Sequence, residues 1–424
     1  MKEKSEYIIG WFISLLAIIS IYHSVAWMNY LLGILSILYL LFNFKKIDYK
    51  NKFVIIPFFL VLFYFLATLA NYELLKERNS LKVLIRIVDA FFVFLVLTIF
   101  LKGNNNFNKF TKVIKIVSGI FLIIGFIEVY FNKYFHNIFL IFRNDDGIAH
   151  LFNPDHTARL LSVCNRFDPN YVGFMLAFMG TFYLLKLSFQ QSLNKKYILL
   201  YILFVAGIFL TGSRGAMIIL FIANILVLII FKKYSKFINL KNIAIFLVLI
   251  FCIGAGFNYF GNNIFFHKLS KMTMVNNYKK GTSDGARLEM INASIHILKE
   301  RPILGIGIGG FNASINKDEF VAKEHPWLIK NNFDNPHNYF LTTWIESGLG
   351  GVLCSIVFFA YSIVILFKNF LKYKNKEACI MAIAFCTIMI ANIPFEFPTT
   401  PDRIMFLFLG YLFIYFSDNF LTKE

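Results

Sequence analysis

Runs of about twenty apolar residues, parted by short polar stretches, recur along the whole chain. A helix needs roughly 20 apolar residues to cross hydrocarbon. On that measure the pattern predicts twelve spans, at 8–21, 25–43, 53–70, 83–101, 113–130, 169–187, 197–210, 215–231, 243–260, 338–367, 378–393 and 404–416. The expected fold is an all-α polytopic membrane protein of about 12 transmembrane helices with a large, partly helical outer loop. Five parts follow: helices 1 to 5 in 1–130, an outer loop at 131–168, helices 6 to 9 in 169–260, a larger outer loop at 261–337, and helices 10 to 12 in 338–424.

Composition agrees. The chain is 58% hydrophobic and 18% aromatic, too apolar for a soluble globular protein. Its start, basic and then apolar, resembles a secretory signal, with Ser24-Val25-Ala26 as a weak cleavage site. A retained first span is the better reading, because a second apolar run follows at once and cleavage would invert the charge pattern described next.

The polar stretches alternate in charge. One set carries lysines: Lys45, Lys46, Lys50 and Lys52; Lys102, Lys109, Lys112 and Lys115; Lys186, Lys195 and Lys196; Lys232, Lys233, Lys236 and Lys241; Lys368, Lys372, Lys374 and Lys376. The positive-inside rule puts these loops, and both termini, in the cytoplasm. None of the nine arginines falls among them. Arg78, Arg86, Arg143, Arg159, Arg166, Arg214, Arg287, Arg301 and Arg403 all map to the other side. A guanidinium grips phosphate through paired hydrogen bonds, so arginine placed against the topology bias points to a phosphate-bearing ligand.

The net charge of +18 is therefore mostly topogenic lysine and calls for no nucleic acid. Of the five cysteines, Cys252, Cys354, Cys379 and Cys386 lie within apolar spans, and only Cys164 is placed outside, without a disulfide partner.

The larger loop should carry structure of its own. From Ser283 or Asp284 as a cap, Leu288, Ile291, Ile295 and Leu298 recur at helical spacing until Pro302 ends the helix. The following Gly305-Ile306-Gly307-Ile308-Gly309-Gly310 follows a helix rather than a strand and lacks a Lys-Ser/Thr tail. It reads as a turn or a close backbone approach, not a nucleotide site. Thr211-Gly212-Ser213-Arg214-Gly215-Ala216 sets an arginine at the bilayer surface, as a functional group or an interfacial anchor. Asn335-Pro336-His337-Asn338 precedes the tenth span. A neutral imidazole at His337 can take a proton from a hydroxyl, though capping is the plainer role. Asp145-Asp146 is an acid pair that could hold an ion, and a solvated turn accounts for it more simply. A transporter would place ionisable groups at mid-membrane, where only Asp89, Glu346 and Glu128 qualify. Glu346 is left without an assigned role.

In order along the chain, Thr211 to Ala216, Arg287-Leu288-Glu289, Pro302 to Gly307, and His337-Asn338 followed by Gly348 and Gly350-Gly351 resemble the bacterial O-antigen ligase and O-antigen polymerase family, as does Asp168-Pro169-Asn170. The resemblance spans roughly residues 140–400. It implies a metal-independent, cofactor-free glycosyltransferase in the bacterial cytoplasmic (inner) membrane, with its site facing the periplasm or exterior. Glycan would pass from an undecaprenyl-pyrophosphate donor to a hydroxyl of a glycan or lipid A-core acceptor, with a flippase and a chain-length regulator as protein partners. Arg214 and Arg287 would hold the pyrophosphate, and His337 would act as base or orient the acceptor. Arg159, Arg166, Arg301, Arg403 and Asn338 would contact substrate. Repeat-unit polymerase is favoured over ligase, and both over a protein oligosaccharyltransferase.

Overall fold

The computed structural model describes residues 2–22, 26–72, 80–102, 104–130, 169–189, 194–211, 213–231, 283–330, 336, 338–373, 377–392 and 404–419. Among them there is no strand. The α-helices are α1 (Lys2–Tyr22), α2 (Ala26–Asn43), α3 (Lys52–Ala70), α4 (Ser80–Phe100), α5 (Asn104–Tyr130), α6 (Pro169–Phe189), α7 (Lys195–Thr211) and α8 (Arg214–Phe231). They continue with α9 (Ser283–Glu300), α10 (Gly310–Lys317), α11 (Glu319–Glu324), α12 (Pro326–Lys330), α13 (Tyr339–Tyr373), α14 (Glu377–Asn392) and α15 (Ile404–Asn419).

Seven of these, α1 to α6 and α13, are long and apolar enough to cross a membrane, and α8, α14 and α15 carry shorter apolar stretches. The span expected at 243–260 and the loop at 131–168 lie outside the described residues. α3 packs along α13, α6 against α7 and α8, and α15 against α4 and α14. Buried hydroxyls inside this bundle are satisfied locally. Ser14, Ser118, Ser188, Ser362 and Thr387 each donate to the carbonyl four residues back, which removes a polar group from an apolar setting.

Three expectations shift in detail. Lys109, Lys112, Lys115 and Lys186 sit in helices rather than loops, since α5 begins at Asn104 and α6 runs to Phe189. Long lysine stems let a helix continue past the hydrocarbon while the ammonium reaches water. The tenth span is one helix broken at Gly348, whose φ of 71° and ψ of −171° are accessible only to glycine. On α9 the buried stripe is Met290, Ala293, Ile297 and Leu298, whereas Leu288 and Ile295 are exposed. The helix starts and stops as expected, but the buried stripe is rotated from the expected one and keeps only Leu298 of it. The stripe packs with Ile306, Phe311, Ile315, Val321, Leu328 and Ile345 into a second core, separate from that of the bundle.

The bundle has two chemically distinct ends. At one, Lys46 pairs with Glu6 at 3.6 Å, and Glu377 takes Lys115 at 2.8 Å and Lys186 at 3.3 Å. Lys52 lies over the Tyr361 ring at this end, and its charge reaches Asp418. α3 runs from Lys52 to its far end at Asn71, where Arg301 is bound. α6 likewise runs from the head of α8, with Arg214, to Lys186. The described arginines Arg86, Arg214 and Arg301 therefore collect at the end opposite the lysine contacts. The second core, with Arg287 on α9, caps that same end through Ile345.

Candidate active site

Ser213 caps α8. Its Oγ accepts the Ala216 N–H at 3.2 Å, and its carbonyl accepts that of Met217 at 3.2 Å. Thr211 Oγ1 steadies the turn by accepting the Ser213 N–H at 3.1 Å while donating to the Ile208 carbonyl at 2.7 Å. Arg214 is thus the first residue of α8, and its backbone lies at the positive end of the helix dipole, which suits an anion. A Cβ on Gly173 would meet that of Ala216 at 2.4 Å, so glycine there lets the heads of α6 and α8 touch. Gly215 needs no such explanation, because a Cβ on it meets only Ser213 Oγ, at 3.9 Å.

The glycine run 305–310 is a docked turn, and its close approach is to α13. Gly305, Gly307 and Gly309 have φ of 66°, 80° and 67°. The Ile306 N–H donates to the Ile345 carbonyl at 2.7 Å, and the Leu349 N–H to the Ile303 carbonyl at 3.0 Å. The break at Gly348 supplies the groups for this seam. A Cβ on Gly305 would sit 2.3 Å from the Ile345 oxygen, and one on Gly348 2.0 Å from the Ile303 oxygen. Two motifs 43 residues apart in sequence thus fit backbone to backbone.

α3 holds the other side of this turn. Thr68 Oγ1 accepts the Ile308 N–H at 3.2 Å, and Asn71 Nδ2 donates to the Gly305 carbonyl at 3.2 Å. Arg301 Nη1 donates to Asn71 Oδ1, and Trp344 Nε1 to the Pro302 carbonyl at 2.8 Å. Thr68 and Asn71 escaped the sequence reading. Their only signal was a polar pair closing an apolar run.

Glu346 acquires a role here. It is 4% exposed, and its Oε1 accepts the Gly309 N–H at 3.0 Å. Its Oε2 has no hydrogen-bond partner among the described residues, and Tyr64, which is hydrogen-bonded to Thr343 and Ser347, is close enough to feel its charge. A buried carboxylate costs free energy unless bonded, so this one ties the turn to α13 at an energetic cost. Asp89 is different: its carboxylate lies against Gly33 of α2, whose added Cβ would meet Oδ1 at 2.2 Å.

The other expected site residues divide. Arg287 is half-buried on α9, two residues before Glu289, whose Oε2 lies 3.6 Å from His325 Nδ1. Arg301 is exposed, with one arm on Asn71. Asn338 caps α13: its Oδ1 accepts the Leu341 N–H at 3.1 Å and its carbonyl that of Thr342 at 2.8 Å. The capping role weighed for His337 is thus filled by its neighbour. His337, Arg159, Arg166, Arg403, Asp145 and Asp146, together with the Arg214 side chain, lie outside what the structure describes.

Residues 199–356 match the family model described as O-antigen ligase. Over those residues the chain is similar to the O-antigen ligase family. The matched range takes in the head of α8 with Arg214, α9 with Arg287, the docked glycine turn and the broken head of α13. Arg159, Arg166 and Arg403 fall beyond it. An uncharacterized protein of Haemophilus influenzae is similar at 29% identity over 186 residues, which is 42% of this chain and 45% of that protein. The chain thus matches under half the length of that relative.

Proposed function

We propose that this protein is a membrane glycosyltransferase that moves glycan from an undecaprenyl-pyrophosphate donor to a hydroxyl acceptor on the outer face of the cytoplasmic membrane, polymerising repeat units. The observation that carries the reading is the gathering of Arg214, Arg287 and Arg301 at the end away from the lysine contacts, with Arg214 at the head of α8. In the reaction, the bond from the sugar anomeric carbon to the pyrophosphate oxygen breaks and a bond to the acceptor oxygen forms. Arg214 and Arg287 hold the charge that develops on the pyrophosphate, as preorganised cations should. His337 takes the acceptor proton. Asn338, by capping α13, fixes the backbone next to His337. Arg159, Arg166 and Arg403 are assigned to the substrates on their side of the membrane.

The test is transfer by purified protein in detergent, given a lipid-linked repeat unit. Arg214→Ala, Arg287→Ala and His337→Ala should each lower transfer at least about a hundredfold with unchanged protein yield. Full activity in any one removes that residue from the scheme. The family description favours a second reading, a ligase that moves finished polymer to a lipid A-core. Deleting the gene separates the two: acceptors capped by single repeats mean polymerase, and lipid-linked polymer beside bare acceptor means ligase.

A further inference from the structure

The capping segment holds a second constellation of ionisable side chains. His296 stands nine residues after Arg287 on α9, roughly 13 Å along the helix and half a turn around it, so it faces away from the proposed donor contacts. Glu300 follows at i+4, on the same face as His296. Asp318 comes from the junction of α10 and α11. Its Oδ1 accepts the Val321 N–H at 2.9 Å as the cap of α11, which turns Oδ2 toward His296 Nε2 at 3.4 Å. Glu300 Oε1 lies 3.9 Å from the same nitrogen, and the three ligand atoms are within 4.8 Å of one another.

We propose that His296, Glu300 and Asp318 form a zinc-binding site that staples the end of α9 to the start of α11. Tetrahedral zinc with nitrogen and oxygen ligands at about 2.0–2.2 Å sets those ligands about 3.4 Å apart, which is the observed His296 to Asp318 separation. Two of the three ligands are already fixed. The His296 ring stacks on Phe320 at 4.2 Å and 24°, and the Asp318 side chain is nine-tenths buried, with Oδ2 turned to His296 while Oδ1 is held by the Val321 N–H. Glu300 is 64% exposed and free to close the remaining distance, and water completes the shell. One imidazole and two carboxylates match zinc's nitrogen and oxygen preference. The site is independent of the transfer reaction, so its test needs no activity.

Full-length protein in detergent, stripped with EDTA and desalted, is titrated with zinc chloride, with magnesium chloride as control. One zinc per chain should bind, with magnesium failing to compete, and affinity should fall at least tenfold in His296→Gln, Glu300→Gln and Asp318→Asn. Glu300 is too exposed for its variant to disturb the fold, and Asp318→Asn keeps a side-chain oxygen to cap Val321. Binding should also weaken as pH falls, because protons compete for the ligands. Absence of saturable zinc binding, or undiminished binding in all three variants, overturns the site and leaves a histidine–carboxylate pair only.

Discussion

Glu346 Oε1 and the Gly309 N–H meet at 3.0 Å, so a carboxylate buried in α13 fastens a turn that belongs to the capping segment. The glutamate need not carry charge to do this; it needs an acceptor oxygen. Glu346→Gln should keep the Gly309 amide protected and transfer within about threefold, whereas Glu346→Leu should raise hydrogen exchange across 303–312 by about tenfold, the worth of one hydrogen bond. Unchanged exchange in the leucine variant would show that the bond does not hold the turn.

Gly348 and Gly305 answer to geometry more than to chemistry. Alanine at either meets a carbonyl oxygen at 2.0 or 2.3 Å and a φ that side chains avoid. Each substitution should destabilise by about 3 kcal/mol or more, combining strain with displaced backbone. Gly215→Ala, with only Ser213 Oγ nearby, should leave the thermal midpoint where it was. Thermal unfolding followed by size-exclusion fluorescence would rank the three.

Glu377 joins three helices, α5, α6 and α14, through Lys115 and Lys186, and it also accepts from Thr111 Oγ1 at 2.8 Å. All three charged groups are at most one-quarter exposed. A double-mutant cycle on Glu377→Ala and Lys115→Ala should return a coupling of about 1 kcal/mol. Additive losses would mean that the contact contributes nothing beyond its separate parts.

Sidedness has a direct readout. Tyr49 and Lys323 are both exposed, one near the lysine contacts and one on the capping segment. In a cysteine-free background, Lys323→Cys should react with an impermeant maleimide added to intact cells, and Tyr49→Cys only after the membrane is opened. The reverse pattern would put Arg287 in the cytoplasm and end the proposed reaction.

The bundle was legible because length and apolarity suffice to mark a helix that must satisfy its own backbone in lipid. Charge alternation also separated the described arginines from the lysine contacts, since the two kinds of residue sit at opposite ends of α3 and α6. The inward face of α9 was not legible. Leu288 and Ile295 match Ile297 and Leu298 in apolarity, so hydrophobicity alone does not choose between the two faces. Nor did spacing reveal that Pro302 to Gly307 and Gly348 to Gly351 are halves of one seam, because pairing across 43 residues leaves no periodic trace. Glu346 looked anomalous for the same reason: its partner is a backbone N–H, which no side-chain pattern records.

The broken head of α13 belongs to two cores at once. Ile345 is packed within the capping segment, while Tyr339 is packed in the bundle and donates to Ser355 Oγ at 3.0 Å. That short stretch acts as a bracket rather than a hinge, and sliding the cap over the bundle would have to tear one core or the other. In the proposed reaction, entry and exit of a lipid-borne chain would then proceed by movement elsewhere, with the seam between 303–306 and 345–349 as the fixed post against which that movement works.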